Sequence, residues 1–275
     1  MVGRVRRLVG TRKVGHAGTL DPMATGVLVV GVERATRLLG HLTLTDKAYD
    51  ATIRLGLGTM TDDAEGEITS TPGAAGVEAA QVEAALTSLR GPILQVPTAV
   101  SAIKVDGVRS YARVRAGHDV ELAARPVTVS RFDVLARRDT EADGVPVVDL
   151  DVAVECTSGT YVRALARDLG RALGTAGHLT RLRRTRVGPF SLDEAVVLPE
   201  DGPADLSVLP MAEVARRCFR TVRLTPDQAT DVRFGRRLPD LALDALSALL
   251  GPDGSFLALY RPDGDGARPE AVFVG

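Results

Sequence analysis

The chain has no tryptophan, four tyrosines and six phenylalanines among its 275 residues, so flat side chains are scarce wherever chemistry needs them. Its two cysteines, Cys156 and Cys218, lie far apart and outside any Cys-x-x-Cys pair. That excludes a disulfide framework and suits a reduced, cytoplasmic protein. The four histidines, His16, His41, His118 and His178, show no metal-ligand spacing, so no metal is expected. No apolar run approaches the roughly 18 to 20 residues that cross a bilayer, and Met1-Val2-Gly3-Arg4 opens without a signal-peptide core. No glycine-rich loop ends in Gly-Lys-Ser or Gly-Lys-Thr, which excludes a P-loop nucleotide enzyme. A charge excess is missing too: the net charge of −1 argues against a nonspecific polyanion binder. What is present, 45% hydrophobic and 25% charged residues, gives a globular composition with room for one large domain and a small one.

The balanced charge is unevenly spread. Arg4, Arg6, Arg7, Arg12 and Lys13 crowd the start without an acid among them. Lys104, Arg109, Arg113 and Arg115 form a second basic cluster, and Arg181, Arg183, Arg184 and Arg186 a third. The acids gather at Asp62, Asp63, Glu65 and Glu67 and beyond Glu200. Basic runs are commonly solvated surface; three of them in a near-neutral chain predict one electropositive face suited to nucleic acid.

Periodicity separates strands from helices. Ala51, Ile53, Leu55 and Leu57 alternate with polar neighbours, the mark of a half-buried strand. Val127 and Val129, then Phe132 and Val134, predict a second strand that slips phase midway. Val148, Leu150, Val152 and Val154 predict a third, and Asp143-Gly144 between the two is a hairpin turn signal. Val77 to Leu89 has helical spacing and stops at Gly91-Pro92. Strands interrupted by helices, with hairpins rather than regular βαβ units, predict a mixed α+β fold. Leu198 to Pro210, rich in Pro, Asp and Gly, predicts a linker. Beyond it Thr225-Pro226-Asp227-Gln228 is a capping box with proline at the first helical position. Strands at Phe219 to Leu224, Phe256 to Tyr260 and Ala271 to Val274 flank that helix.

The segment from Gly15 to Leu28, GHAGTLDPMATGVL, sets one carboxylate, Asp21, in a loop hedged by Gly15, Gly18 and Gly26 and stiffened by Pro22. Read alone, Asp-Pro is an Asx turn entering a strand at Val27 to Val32. Held next to a histidine on such a loop, a carboxylate is also a candidate nucleophile or base. Arg163, Arg167 and Arg171 recur every four residues, opposite Leu165, Leu169 and Leu173. By pattern they form a solvated helix face.

The Asp21 segment resembles the catalytic loop of the TruB-type tRNA pseudouridine synthases, G-H-x-G-x-L-D-P-x-A-x-G-x-L, at every fixed position. Three further stretches resemble the same family. Lys47-Ala48-Tyr49, running to the turn Thr59 to Gly66, matches K-x-Y and L-G-x-x-T-x-T-x-D-x-x-G, with Asp62 falling one position off the acidic residue. Val96-Pro97, Ser101 to Lys104, Gly107 and Tyr111-Ala112-Arg113 match P-x-x-S-A-x-K-x-x-G-x-x-x-Y-x-x-A-R. Cys156 to Arg163, with Asp168-Leu169-Gly170 and Leu182-Arg183-Arg184, matches C-x-x-G-T-Y-[IV]-R, D-L-G and L-R-R.

The resemblance implies a pseudouridine synthase fold: a mixed, largely antiparallel sheet over residues 1–198, a linker at 199–218, and a small PUA-like, RNA-contacting domain at 219–275. It also implies an upstream strand with a K-P-x-G-x-T-S segment before the helix that begins near Val2, so an unpaired sheet edge is expected here. The implied activity is bacterial and cytoplasmic: isomerisation of uridine-55 in the T-loop of tRNA, without metal or organic cofactor. It would proceed without an obligatory protein partner or membrane, by a monomer that flips the base out. Asp21 would be the catalytic aspartate, attacking base or sugar or helping remove a sugar proton. Arg163 would keep it ionised and aimed, and Tyr49 would pack on the base and assist proton removal. His16 would fill the space the nucleotide leaves, and Tyr161 would pack beside Asp21 and Arg163. Lys104, Tyr111, Leu182, Arg183 and Arg184 complete the expected substrate-binding set. The rival reading is a noncatalytic tRNA-binding or folding protein using the same cleft. Guide-RNA-dependent relatives would need partners and a more basic tail.

Overall fold

A computed structural model describes residues 1–43, 45–98, 123–198, 202 and 206–274, together with the backbone of 104–105 and 108–109. They form two compact units. One comprises Gly18–Val29 and Thr43–Ala195; the other comprises Met1–Ala17, Val30–Leu42 and Val196–Gly275.

The first of these is built on a seven-stranded sheet. Its strands in chain order are β1 (Thr25–Gly26), β2 (Lys47–Leu55), β3 (Gly91–Gln95), β4 (Arg125–Ala142), β5 (Val145–Cys156), β6 (Gly177–Val187) and β7 (Phe190–Ser191). Their spatial order is β7-β6-β2-β5-β4-β3, antiparallel throughout, with the short β1 added parallel to β6. The predicted strand alternation is real. Ala51, Ile53 and Leu55 of the central β2 are fully buried, packing with Val82 and Leu86 of the helix Ala79–Ser88 and with Leu165 and Leu169 of the helix Val162–Ala172. Polar positions of β2 are tied across the strands. Arg54 donates to both carboxylate oxygens of Asp149 at 2.8 Å, and Thr52 to Asp151 at 2.6 Å. Such cross-strand pairs lock register on the face that the apolar alternation leaves polar.

The β4–β5 hairpin turns where the sequence predicts. Asp143 (φ 52°) and Gly144 (φ 73°) are both left-handed, as a type I′ turn demands. The phase slip read in β4 is a β-bulge: the register with β5 shifts between Val129 and Arg131. With the slip absorbed, both Val129 and Phe132 reach the core, fully buried. The helix expected over Val77 to Leu89 runs Ala79–Ser88, closed at its start by a Glu78–Gln81 capping box.

The second unit carries a four-stranded sheet, β8 (Arg220–Arg223), β9 (Ser247–Leu250), β10 (Phe256–Asp263) and β11 (Gly266–Val272), in that order. The capping box works as read: Thr225 Oγ1 accepts from the Gln228 amide at 3.3 Å, opening the helix Pro226–Arg233. Two elements escaped the sequence reading. Strand β9 is buried at all four positions, so it shows no alternation. The helix Met211–Cys218 lies inside the stretch read as linker. This unit also takes in 1–17 and 30–42, with the helix Val2–Val9 and the strand Val14–Ala17, segments that the sequence reading grouped with residues 18–198.

Candidate active site

Asp21 sits in the loop that leads into β1. Its carbonyl closes a turn by accepting from the Ala24 amide at 2.9 Å, and the Val27 amide then donates to the Arg184 carbonyl at 2.8 Å. Gly26 lies opposite Arg184 in the parallel β1–β6 pairing, at φ 103°. A Cβ at Gly26 would stand 2.1 Å from the Arg184 oxygen, so only glycine lets the loop approach β6 this closely.

Arg163, near the start of the helix Val162–Ala172, is 6% exposed despite its place in an apparent solvated stripe. Its Nη2 donates to Asp21 Oδ1 at 2.9 Å. Its Nη1 donates to the Thr61 carbonyl at 3.0 Å and lies 3.3 Å from Asp63 Oδ2. Asp63 is 2% exposed and accepts from Thr61 Oγ1 at 2.5 Å and from the Glu65 amide at 3.1 Å. The guanidinium is therefore held from behind by a buried carboxylate and presents its other nitrogen to Asp21, which stays partly open to solvent. Charge-assisted contacts of this kind are short and strong.

The carboxylate that meets Arg163 is Asp63 and not Asp62, in keeping with the acidic position of L-G-x-x-T-x-T-x-D-x-x-G laid on Leu55 to Gly66. Asp62 has a left-handed backbone, φ 56°, so the two adjacent carboxylates diverge. Asp63 meets Arg163, whereas Asp62 meets Arg167 one helical turn on, at 3.3 Å, and accepts from Thr98 Oγ1 at 2.9 Å. Burial raises the Asp62 pKa above its ordinary value against the opposing pull of Arg167. Arg167 also donates to the Val96 carbonyl and to Asp168, so the reading of it as a solvated residue fails. Arg171 does face solvent, its side chain 71% exposed.

Asp21, Tyr49, Tyr161, Arg163, Leu182 and Arg184 line a pocket of about 270 Å³, joined by Lys47. Tyr49 is 8% exposed, and burial pushes its phenol up to about 12. Tyr161 is fixed through its backbone: Gln95 donates to its carbonyl and accepts from its amide, at 3.1 and 2.8 Å. Lys47, matched in a motif but not assigned a role, is nearly buried and donates to Ser158 Oγ at 3.0 Å. Burial lowers its pKa, and the neighbouring Arg184 adds to that.

The other expected residues divide. Arg183 is exposed on β6, whereas Arg184 is 1% exposed and donates to backbone carbonyls, so the expected phosphate contact is not what its side chain makes. His16 is exposed on the strand Val14–Ala17, in the other compact unit. The Lys104 side chain and Tyr111 lie outside the described residues. Among the described residues no cluster of three or more His, Cys, Asp or Glu is placed to hold a metal, and no helix is long and apolar enough to cross a membrane.

Three family models match the chain. Residues 6–162 match the TruB family pseudouridylate synthase (N terminal domain), residues 163–200 the tRNA pseudouridylate synthase B C-terminal domain, and residues 219–274 the tRNA Pseudouridine synthase II, C terminal. The tRNA pseudouridine synthase B of Arthrobacter sp. (strain FB24) is 56% identical, over 100% of this chain and 92% of that protein. The protein of the same name from Nocardia farcinica (strain IFM 10152) is 58% identical, over 100% of this chain and 88% of its own length. Among solved structures, a chain of a Cbf5-Nop10-Gar1 complex superposes with a TM-score of 0.70 at 24% identity, covering 99% of this chain and 80% of that one, a likeness of fold. The chain belongs to the TruB family of pseudouridylate synthases.

Proposed function

We propose that this protein converts uridine-55 in the T-loop of tRNA to pseudouridine, with Asp21 as the catalytic carboxylate. The observation that carries this reading is the Asp21–Arg163 contact at 2.9 Å on the rim of a pocket lined by two tyrosines. The reaction breaks the bond between N1 and the ribose C1′, turns the uracil, and rebuilds the link through C5. The C5 proton is lost and N1 gains one. A carboxylate is needed to attack the base or the sugar, or to take a sugar proton. Arg163, fixed by Asp63, aims Asp21 while a base enters and excludes water. Tyr49 offers its ring to the flipped base; with its phenol held to about 12, it enters the reaction protonated. Tyr161 and Leu182 complete the apolar wall. The exposed arginines supply phosphate contacts, and the C-terminal, PUA-like part adds further RNA contact. The protein works as a cytoplasmic monomer on free tRNA.

The test is incubation with unmodified tRNA, followed by mapping of pseudouridine. Modification at one T-loop uridine is expected. Asp21→Asn keeps the side-chain shape and removes the charge, so turnover is abolished while tRNA binding persists. Appreciable pseudouridine formation by Asp21→Asn would sink the assignment of Asp21. Failure of the unmutated chain to modify tRNA would sink the activity.

A further inference from the structure

Arg184 is among the largest fully buried side chains of the protein, and among the described residues no carboxylate pairs with it. Its Nε donates to the Val27 carbonyl at 2.8 Å, its Nη1 to the Thr19 carbonyl at 3.3 Å, and its Nη2 to the Gly18 carbonyl at 3.1 Å. Its own carbonyl accepts from the Val27 amide at 2.8 Å. Gly18 and Thr19 precede Asp21, and Val27 follows it. One residue of β6 thus grips both ends of the loop that carries the carboxylate. We propose that Arg184 is the positioning residue of this loop, setting where Asp21 stands relative to Arg163 and the incoming base. The proposal rests on the reading of Asp21 as the catalytic carboxylate.

The chemistry explains why an arginine fills this place. Three carbonyls arriving from two chain segments require a side chain that only donates, in several directions, from a rigid plane. Guanidinium alone does so, with five N–H groups in a fixed fork. A lysine at the same depth satisfies fewer carbonyls and leaves the others buried without donors, which is costly. Burying a cation without an anion is itself unfavourable, so a sheet residue with no further task would be better apolar. The neighbouring Arg183 points to the opposite face of the strand and stays exposed, so the two consecutive arginines have separate jobs.

The experiment assays full-length Arg184→Lys and Arg184→Gln beside Asp21→Asn on unmodified tRNA. It reads kcat, KM, the salt dependence of tRNA affinity, and amide hydrogen exchange. A displacement near 1 Å costs about a hundredfold in rate, so kcat is expected to fall by about that factor or more. KM is expected to stay within about threefold, because ground-state binding is untouched. The slope of log affinity on log salt is expected to hold. Exchange at Ala24 and Val27 quickens, while β2 and β5 amides stay protected. Near-normal kcat with a protected loop overturns the proposal. So does a slope flattened by about 0.7–0.9 with kcat retained, which marks a phosphate contact. Uniform loss of protection across β2, β5 and the loop overturns it as well, since Arg184 would then serve the whole sheet. If Asp21→Asn remains active, the underlying reading fails instead.

Discussion

Two arginine-rich elements meet at the pocket, and they bury their arginines by different rules. On the helix Val162–Ala172 the burial fades along the axis: side-chain exposures are 7% for Arg163, 14% for Arg167 and 71% for Arg171. On β6 burial alternates with the pleat. Arg181 and Arg183 are exposed, and Leu182 and Arg184 are buried. The helix arginines find carboxylates, because the Thr59–Asp63 turn delivers Asp62 and Asp63 at one-turn spacing. The strand arginine finds carbonyls, because the loop laid against β6 offers backbone. Identical side chains therefore do unlike work: one neutralised arginine aims a carboxylate, and one unneutralised arginine holds the chain that bears it.

The sharpest way to break that contrast is Arg163→Lys. Lysine keeps the charge beside Asp63 but loses the fork that serves Asp63 and Asp21 together. Turnover is expected to fall by about a thousandfold, the loss seen when one preorganised donor is removed, with a small change in melting temperature. Arg163→Met tests the other half. It strands Asp63, 2% exposed, in the interior, so unfolding free energy is expected to drop by about 3–5 kcal/mol. Normal turnover in Arg163→Lys would mean that the fork does not aim Asp21 and that Arg163 serves only to neutralise the buried Asp63.

A smaller effect is expected from Arg167→Ala, read as stability against pH. Asp62 already stands above its ordinary 3.8, chiefly through burial, and Arg167 is the largest influence opposing that. Removing Arg167 raises Asp62 further. Between 3.8 and the raised value the folded state then binds more protons than the unfolded state, so stability falls as pH rises through that window. Urea titrations are expected to show the deficit of Arg167→Ala smallest below that window and full above it. At neutral pH it is about 1–3 kcal/mol, the cost of a buried acceptor losing its donor. A pH-independent deficit would mean that Arg167 acts through its bonds to Val96 and Asp168 alone.

Much of this was legible in sequence where the cause is local. The type I′ turn at Asp143-Gly144, the capping box at Thr225 and the β2 alternation each depend on a few neighbouring residues, and each stands where expected. The β4 bulge was visible as a phase slip. What the pattern hid depends on partners from elsewhere in the chain. Arg167 reads as solvated until the Asp62 turn is laid against it. Asp63 was legible in the motif, since L-G-x-x-T-x-T-x-D-x-x-G laid on Leu55 to Gly66 sets its acidic residue there. What the sequence does not announce is that Asp62 adopts φ 56° and turns its own carboxylate to Arg167. Arg184 looks like one more member of a basic run, because the carbonyls that claim it have no sequence signature. Strand β9, buried on both faces, has no period to read.

The smallest predicted effect separates neighbours on β6. Arg183 is exposed and no acid pairs with it among the described residues, whereas Arg186 lies 2.6 Å from Glu155. An arginine already neutralised by a carboxylate releases little counterion when it meets phosphate, and an unpaired one releases a full share. If the exposed arginines track the tRNA backbone, Arg183→Ala is expected to flatten the slope of log affinity on log salt by about 0.7–0.9. Arg186→Ala is expected to leave it nearly unchanged. Equal slopes in the two variants and the unmutated protein would show that neither Arg183 nor Arg186 contacts phosphate, so that lack of an acid partner does not mark Arg183 as a tRNA contact.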